Sequence, residues 1–169
     1  MTNAKLTPIV QRTHLKTSKS DFLVLLDRDG TLNFDSGYTY KVSDLKLLHN
    51  NIRMIKNLTK ENSSIICITN QSGIGRGLFS ENEAKTFNLA LYDRLVKLDL
   101  TIEVFYMCPH APVEGCRCRK PNTLMLELAM KQSKISKENS IYIGDSVVDQ
   151  IASNKLEVKF IEVPKNEMQ

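Results

Sequence analysis

Phe22–Thr31 reads FLVLLDRDGT: five consecutive apolar residues run directly into Asp27-Arg28-Asp29-Gly30-Thr31. A short unbroken apolar run bounded by turn residues marks a strand buried on both faces. Outward from it, Ser64–Thr69 (SIICIT), Glu103–Met107 (EVFYM), Ile141–Ile143 (IYI) and Val158–Val163 (VKFIEV) read the same way. Helical patterns fill 50–59, 81–98, 122–133 and 147–155. The second opens with a capping box, Ser80 followed three residues later by Glu83. Its Phe87, Leu91, Leu95 and Leu98 recur at helical spacing and read as core. Alternating strands and helices with right-handed crossovers predict a single Rossmann-like α/β domain: a mostly parallel sheet with helices on both faces.

The 169 residues suit one domain, and 41% hydrophobic with 25% charged residues excludes a disordered or fibrous chain. No apolar run approaches the ~20 residues of a membrane span, and no signal-peptide pattern opens the sequence. A soluble, cytoplasmic protein without a membrane partner is expected. The net charge of +4 belongs to residues 1–20, which hold Lys5, Arg12, Lys16 and Lys19 and no acid. The remaining 149 residues carry 19 basic and 19 acidic side chains, which argues against a nucleic-acid partner. The chain therefore divides into a basic extension (1–20), the domain (21–163) and a C-terminal tail (164–169). An organelle transit peptide remains open for the extension.

Polar residues gather where the strands end. The exits read Asp27-Arg28-Asp29-Gly30-Thr31, Thr69-Asn70-Gln71-Ser72-Gly73, Cys108-Pro109-His110 and Gly144-Asp145-Ser146. Open α/β sheets bind ligands outside the carboxyl ends of their strands, so four exits point chemistry to one rim. Asp27, Asp29 and Asp145 on that rim would need a cation, and hard Mg²⁺ suits an all-oxygen site. Alone, Asp-Gly at a strand end is also a plain turn. An EF-hand calcium loop is excluded, because its twelfth position is Tyr38 where a bidentate Glu is required.

Thr69–Gly77 (TNQSGIGRG) offers a hydroxyl, amides, glycines and Arg76 to a phosphate, without the Gly-Lys-Ser/Thr of a Walker loop. Arg119-Lys120 supplies cations after the third strand, and by itself could be a solvated pair. Cys108, His110, Cys116 and Cys118 place four soft ligands within eleven residues. Three thiolates and an imidazole fill a tetrahedral Zn²⁺ shell with no open position, the mark of a structural site. A redox Cys-x-Cys is the alternative. Cys67 reads as a core residue, and His14 and His49 fall outside every constellation.

Together, Asp27-x-Asp29-Gly30-Thr31, Thr69, Lys120 and Gly144-Asp145-Ser146-x-x-Asp149 resemble the haloacid-dehalogenase-like (HAD) phosphohydrolase superfamily over residues 21–163. The resemblance implies Asp27 as nucleophile, Asp29 as acid–base, and Thr69 and Lys120 on the transferring phosphoryl group. It implies Mg²⁺ on Asp27, the Asp29 carbonyl and Asp145, with Asp149 supporting Lys120 or the metal. Within the superfamily, Asp35-Ser36-Gly37-Tyr38, TNQSGIGRG and the zinc segment into Cys118-Arg119-Lys120-Pro121 are similar to the heptose-bisphosphate phosphatase family. That likeness implies sugar-phosphate contacts from Asp35, Ser36, Gly37, Tyr38, Thr69, Asn70, Gln71, Ser72, Arg119 and Lys120. It also implies no large cap domain, and a monomer acting on a small phosphorylated metabolite. The sequence departs from the heptose pattern in its five-residue zinc loop, shared with histidinol-phosphate phosphatase domains, in Asn122 after Pro121, and in Ser146 and Glu157. GIGRG also resembles polynucleotide 3′-phosphatase domains. A phospho-acceptor receiver module fits less well, because Asp29 and the zinc ligands are foreign to it.

Overall fold

The apolar runs form strands because their side chains alternate between two cores. In the computed structural model, which describes residues 7–15 and 19–165, Phe22–Leu26 (β2) sends Leu23 and Leu25 into one cluster and Val24 and Leu26 into the other. Ser63–Asn70 (β3) does the same with Ile66 and Ile68 against Ile65 and Cys67. One core is closed by His49–Leu58 (α1) and Glu81–Val96 (α3), which contribute Ile52, Ile55, Phe87, Leu91 and Leu95. The other is closed by Leu124–Ser133 (α4) and Val147–Lys155 (α5) through Met125, Leu126, Ala129 and Ala152. A short helical turn, Ser72–Gly75 (α2), follows β3. The Ser80–Glu83 capping box at the start of α3 is formed, and Cys67 is a core residue.

With Val104–Cys108 (β4), Ser140–Gly144 (β5), Lys159–Glu162 (β6) and Ile9–Arg12 (β1), the sheet has six strands in the order β1-β4-β3-β2-β5-β6. All neighbours are parallel except β1 with β4. The order reverses at β2, which has β3 on one side and β5 on the other. Such a reversal splays the following loops apart and leaves a crevice at the carboxyl ends.

β1 corrects the reading of residues 1–20 as an extension. Ile9–Arg12 pairs antiparallel with β4 from Ile9↔Met107 to Arg12↔Val104. IVQR lacks a buried strand's apolar run because an edge strand needs only partial burial, and the inward residue is polar: Gln11 is buried and donates to the Lys85 carbonyl at 3.0 Å. Lys5 and Lys16 lie outside the described residues. Of the tail at 164–169, only Pro164 and Lys165 are described, and Asn51 Nδ2 reaches the Pro164 carbonyl at 3.4 Å. Among the described residues, no helix is long and apolar enough to cross a membrane.

Candidate active site

Asp27 stands one residue beyond the end of β2, where its N–H still donates to the Ile143 carbonyl of β5 at 2.9 Å. This bond holds it in the crevice between the two strands. Its carboxylate meets Lys120 Nζ at 2.6 Å, and the same ammonium reaches Asp149 Oδ1 at 2.7 Å, the Ile68 carbonyl at 2.9 Å and the Tyr142 hydroxyl at 3.1 Å. Tyr142 in turn donates to Asp149 Oδ1 at 2.7 Å. Burial drives the Asp27 carboxyl well above its usual range, offset only in part by Lys120. For Lys120, burial works against the charge, but Asp149 and Asp27 outweigh it and hold the ammonium well above its usual value.

Asp145, after β5, closes the other side. Its carboxyl is raised by burial and then by Asp149. Gly30 lets the chain turn beside it: φ is +81°, and a Cβ there would fall 2.2 Å from Asp145 Oδ2. Oxygens of Asp27, Asp145 and Asp149 lie within 4.8 Å of one another, a set fit for a cation. Asp149 is already engaged by Lys120, Tyr142 and Ser146. Both oxygens of Asp149 are thus taken, whereas Asp27 meets Lys120 through Oδ1 and faces Asp145 across the cleft. Three acids against one ammonium leave net negative charge, which a divalent ion with oxygen preference would neutralise.

Asp29 is gripped by Arg28, whose Nε and Nη2 approach its oxygens at 2.8–3.1 Å. Asn33 Nδ2 at 2.9 Å and Gln71 Nε2 at 2.8 Å complete the ring of donors. Gln71 also donates to Thr69 Oγ1 at 2.8 Å. Asn70 uses its amide on the Lys120 backbone, accepting from its N–H at 3.0 Å and donating to its carbonyl at 3.1 Å. Both amides thus fix other site residues as well as bordering the cleft.

The cleft, about 380 Å³, is bordered by Asp27, Asp29, Thr69, Lys120 and Asp145, and by Asp35, Gly37, Tyr38, Asn70, Gln71 and Ser72. Ser36 and Arg119 do not border it, and Arg76 is exposed away from it. Ser36 serves its own loop, donating from its N–H to Thr39 Oγ1 at 3.1 Å. Arg119 is half-buried, with Nη1 shielded from solvent and without a hydrogen-bond partner among the described residues. A larger cavity of about 480 Å³ opens beside Lys60, Ser63 and Glu103, at the amino ends of β3 and β4. It is the wrong end of a parallel sheet for this chemistry.

Cys108, His110, Cys116 and Cys118 converge, all buried, with neighbouring ligand atoms 3.2–3.6 Å apart. Zn–S bonds of about 2.3 Å in a tetrahedron span sulfur pairs of roughly 3.7 Å, so the set fits a slightly expanded version of itself around Zn²⁺. The Cys118 hydrogen bond pulls the Cys108 thiol down to about 6, favouring a thiolate there. This knot leads directly through Arg119 into Lys120. Sequence reasoning missed Arg28, Asn33 and Tyr142. The available signal was an arginine set between two acids; Tyr142 lay hidden in an apolar strand.

A family model described as "Polynucleotide kinase 3 phosphatase" matches residues 23–162. The "Probable D-glycero-D-manno-heptose-1,7-bisphosphate 7-phosphatase" of Thermoplasma acidophilum is 39% identical over 78% of this chain and 83% of that protein. The D-glycero-beta-D-manno-heptose-1,7-bisphosphate 7-phosphatase of Haemophilus influenzae is 37% identical over 80% of this chain and 77% of its own. The crystal structure of D,D-heptose 1,7-bisphosphate phosphatase from B. bronchiseptica, complexed with magnesium and phosphate, superposes with a TM-score of 0.75. It is 28% identical and covers 82% of this chain and 78% of that one. A HAD-like chain from Mesorhizobium loti, 23% identical, shares the fold at a TM-score of 0.82 over 92% of this chain and 78% of its own. The chain belongs to the HAD-type phosphatases: the 3-phosphatase family model matches most of it, and heptose-1,7-bisphosphate 7-phosphatases are relatives at 37–39% identity.

Proposed function

We propose that the protein is a Mg²⁺-dependent phosphomonoesterase that removes the 7-phosphate of D-glycero-D-manno-heptose 1,7-bisphosphate. The observation that carries this reading is the buried Asp27–Lys120–Asp149 cluster at the β2/β5 crevice, with Asp29 and Asp145 beside it. The names of relatives at 37–39% identity support the sugar.

In this reading a carboxylate oxygen of Asp27 attacks phosphorus, and the bond from phosphorus to the sugar oxygen breaks. Asp29 gives that leaving oxygen a proton. Water then attacks the aspartyl-phosphate, Asp29 takes the water's proton, and the P–O bond to Asp27 breaks to release inorganic phosphate. Thr69 and Lys120 hold the equatorial oxygens as charge gathers on them. Residues to hold Mg²⁺ are Asp27, Asp145 and the Asp29 carbonyl; the chemistry supplied by the bound ion is neutralisation of carboxylate and phosphoryl charge. Asp35, Gly37, Tyr38, Asn70–Ser72 and Arg119 orient the sugar, with Ser36 bracing its loop through Thr39 and Arg119 turning toward the substrate. Cys108, His110, Cys116 and Cys118 hold a structural Zn²⁺ that fixes the loop carrying Lys120.

Residues 21–163 together with the edge strand Ile9–Arg12 form the catalytic domain of a cytoplasmic monomer with no membrane or nucleic-acid partner. Two other substrates have specific support: the family description favours a polynucleotide 3′-phosphate, and the short zinc loop favours histidinol phosphate. Phosphate release should be compared across both heptose anomers, histidinol phosphate, fructose 1,6-bisphosphate and a 3′-phosphorylated oligonucleotide. A kcat/KM preference of ~100-fold for one heptose anomer upholds the reading. Preference for any other member of the panel replaces it.

A further inference from the structure

Arg28 has no part in the steps above, yet it is fully buried and heads the largest such side chains among the described residues. A buried guanidinium is costly unless its N–H groups are bonded and its charge is balanced. Here both conditions are met by functional parts. Nε and Nη2 fork onto both Asp29 oxygens, and Nη2 also donates to the Thr39 carbonyl at 2.9 Å. Nη1 donates to Asn88 Oδ1 at 2.9 Å, and the guanidinium lies 4.6 Å from the centre of the Phe87 ring on α3. Asn88 is held from behind by Gln11 of β1, whose Oε1 accepts from Asn88 Nδ2 at 3.1 Å.

The counter-charge of this arginine is therefore the acid–base group itself, which keeps 18% exposure on the cleft. The second anchor, Thr39, closes the Asp35–Thr39 loop: Thr39 Oγ1 accepts from Ser36 N–H at 3.1 Å and bonds Asp35 Oδ1 at 3.3 Å. One planar fork thus links loop, acid and helix. Lysine, whose three donors radiate from one nitrogen, lacks the planar fork that spans Asp29, the Thr39 carbonyl and Asn88 together.

We propose that Arg28 is a positioning residue: it aims Asp29 at the leaving oxygen and ties that aim to the order of the Asp35–Thr39 loop. The proposal rests on the phosphatase reading above, in which Asp29 is the proton donor. An acid must come within about 2.6–3.2 Å of the oxygen it protonates. A misplacement of ~1 Å costs on the order of 100-fold in rate. Gln11 and Asn88 extend the support to the edge strand, so β1 contributes to the site without bordering it.

The test uses the full-length protein with Zn²⁺ and Mg²⁺ and two kinds of ester. A sugar phosphate has a leaving oxygen that requires a proton, whereas p-nitrophenyl phosphate has one that does not. Wild type, Arg28→Lys, Asn88→Ala and the reference Asp29→Asn are compared, reading kcat for the sugar phosphate and the pre-steady-state burst of nitrophenol. Arg28→Lys is expected to lose ~100-fold in kcat on the sugar phosphate while its nitrophenol burst rate stays within about 3-fold of wild type. Asn88→Ala is expected to shift the ratio in the same direction by less.

An unchanged ratio in Arg28→Lys, or an equal loss on both esters, overturns the proposal in favour of a purely structural arginine. Should Arg28→Lys fail to fold, Asn88→Ala decides, since it retains the guanidinium and its fork: an unmoved ratio there overturns the proposal as well. The two failures are distinguishable. A wild type that hydrolyses neither ester defeats the phosphatase reading and this proposal with it, whereas an active wild type with an unmoved ratio defeats this proposal alone.

Discussion

Asp27 and Lys120 approach at 2.6 Å in a site where Asp149 competes for the same ammonium. Replacing Asp27 with Asn leaves Lys120 paired with Asp149 and the Ile68 carbonyl, so the fold has no reason to fail. In the proposed reaction, however, the nucleophile is gone. Asp27→Asn should lower kcat by more than ~1000-fold with unchanged circular dichroism; near-normal turnover would remove Asp27 from that role. Tyr142 makes the opposite kind of contribution. Its hydroxyl accepts from Lys120 and donates to Asp149, while its ring packs edge-on against Phe160 with centroids 6.1 Å apart. Tyr142→Phe keeps the ring and strips one bond from each buried charge. It should cost about 1–3 kcal/mol in urea unfolding. A variant as stable as wild type would mean the charges need no hydroxyl between them.

At the scale of elements, the segment Cys108–Lys120 is short on regular structure: a single turn of 3-10 helix, Pro112–Glu114, lies within it after β4. The Cys/His knot lies at its centre, and Asn122 Nδ2 pins it further by donating to the Cys116 carbonyl at 2.9 Å. Metal binding in such a segment is folding free energy, because the ligands have no reason to stay together without it. Wild type is expected to carry one equivalent of zinc by elemental analysis, and Cys116→Ser should lose it and lower the melting temperature. Turnover should fall as Lys120 loses its fixed approach. A zinc-free variant with the wild-type melting temperature would show that the segment holds itself. β1 carries a comparable lesson, since four residues with one buried glutamine extend the sheet and reach Asn88.

Over the whole molecule, the proposed function gives two metal sites of different chemistry different purposes. The carboxylates of Asp27 and Asp145 lie at the rim of the crevice, outside both cores, whereas the cysteine sulfurs are buried within the core beside β4. Removal of Mg²⁺ by a chelator should therefore stop turnover reversibly, with little change in the melting temperature, and Mg²⁺ alone should restore it. Loss of fold on mild chelation, or recovery only with Zn²⁺, would contradict this division. The crevice itself is a property of strand order. Asp27 and Asp145 meet because β2 and β5 are neighbours, although the chain visits β3 and β4 between them.

The sequence by itself determined the strands from Phe22 onward, the helices between them, the rim to which the polar exits point and the zinc ligands. Each is a local property: an unbroken apolar run, a helical period, a residue type at a fixed spacing. Tertiary structure decided which exits share a crevice and which buried polar groups hold them. Lys120 reaches Asp27 across 93 positions, and Arg28 reaches Asn88 across 60. No periodicity encodes such pairs, because strand order and the desolvation cost of a buried charge select them together. The same reason explains β1. Its four residues carry no strand signal of their own and become a strand only because β4 offers an unpaired edge and Asn88 offers Gln11 a partner.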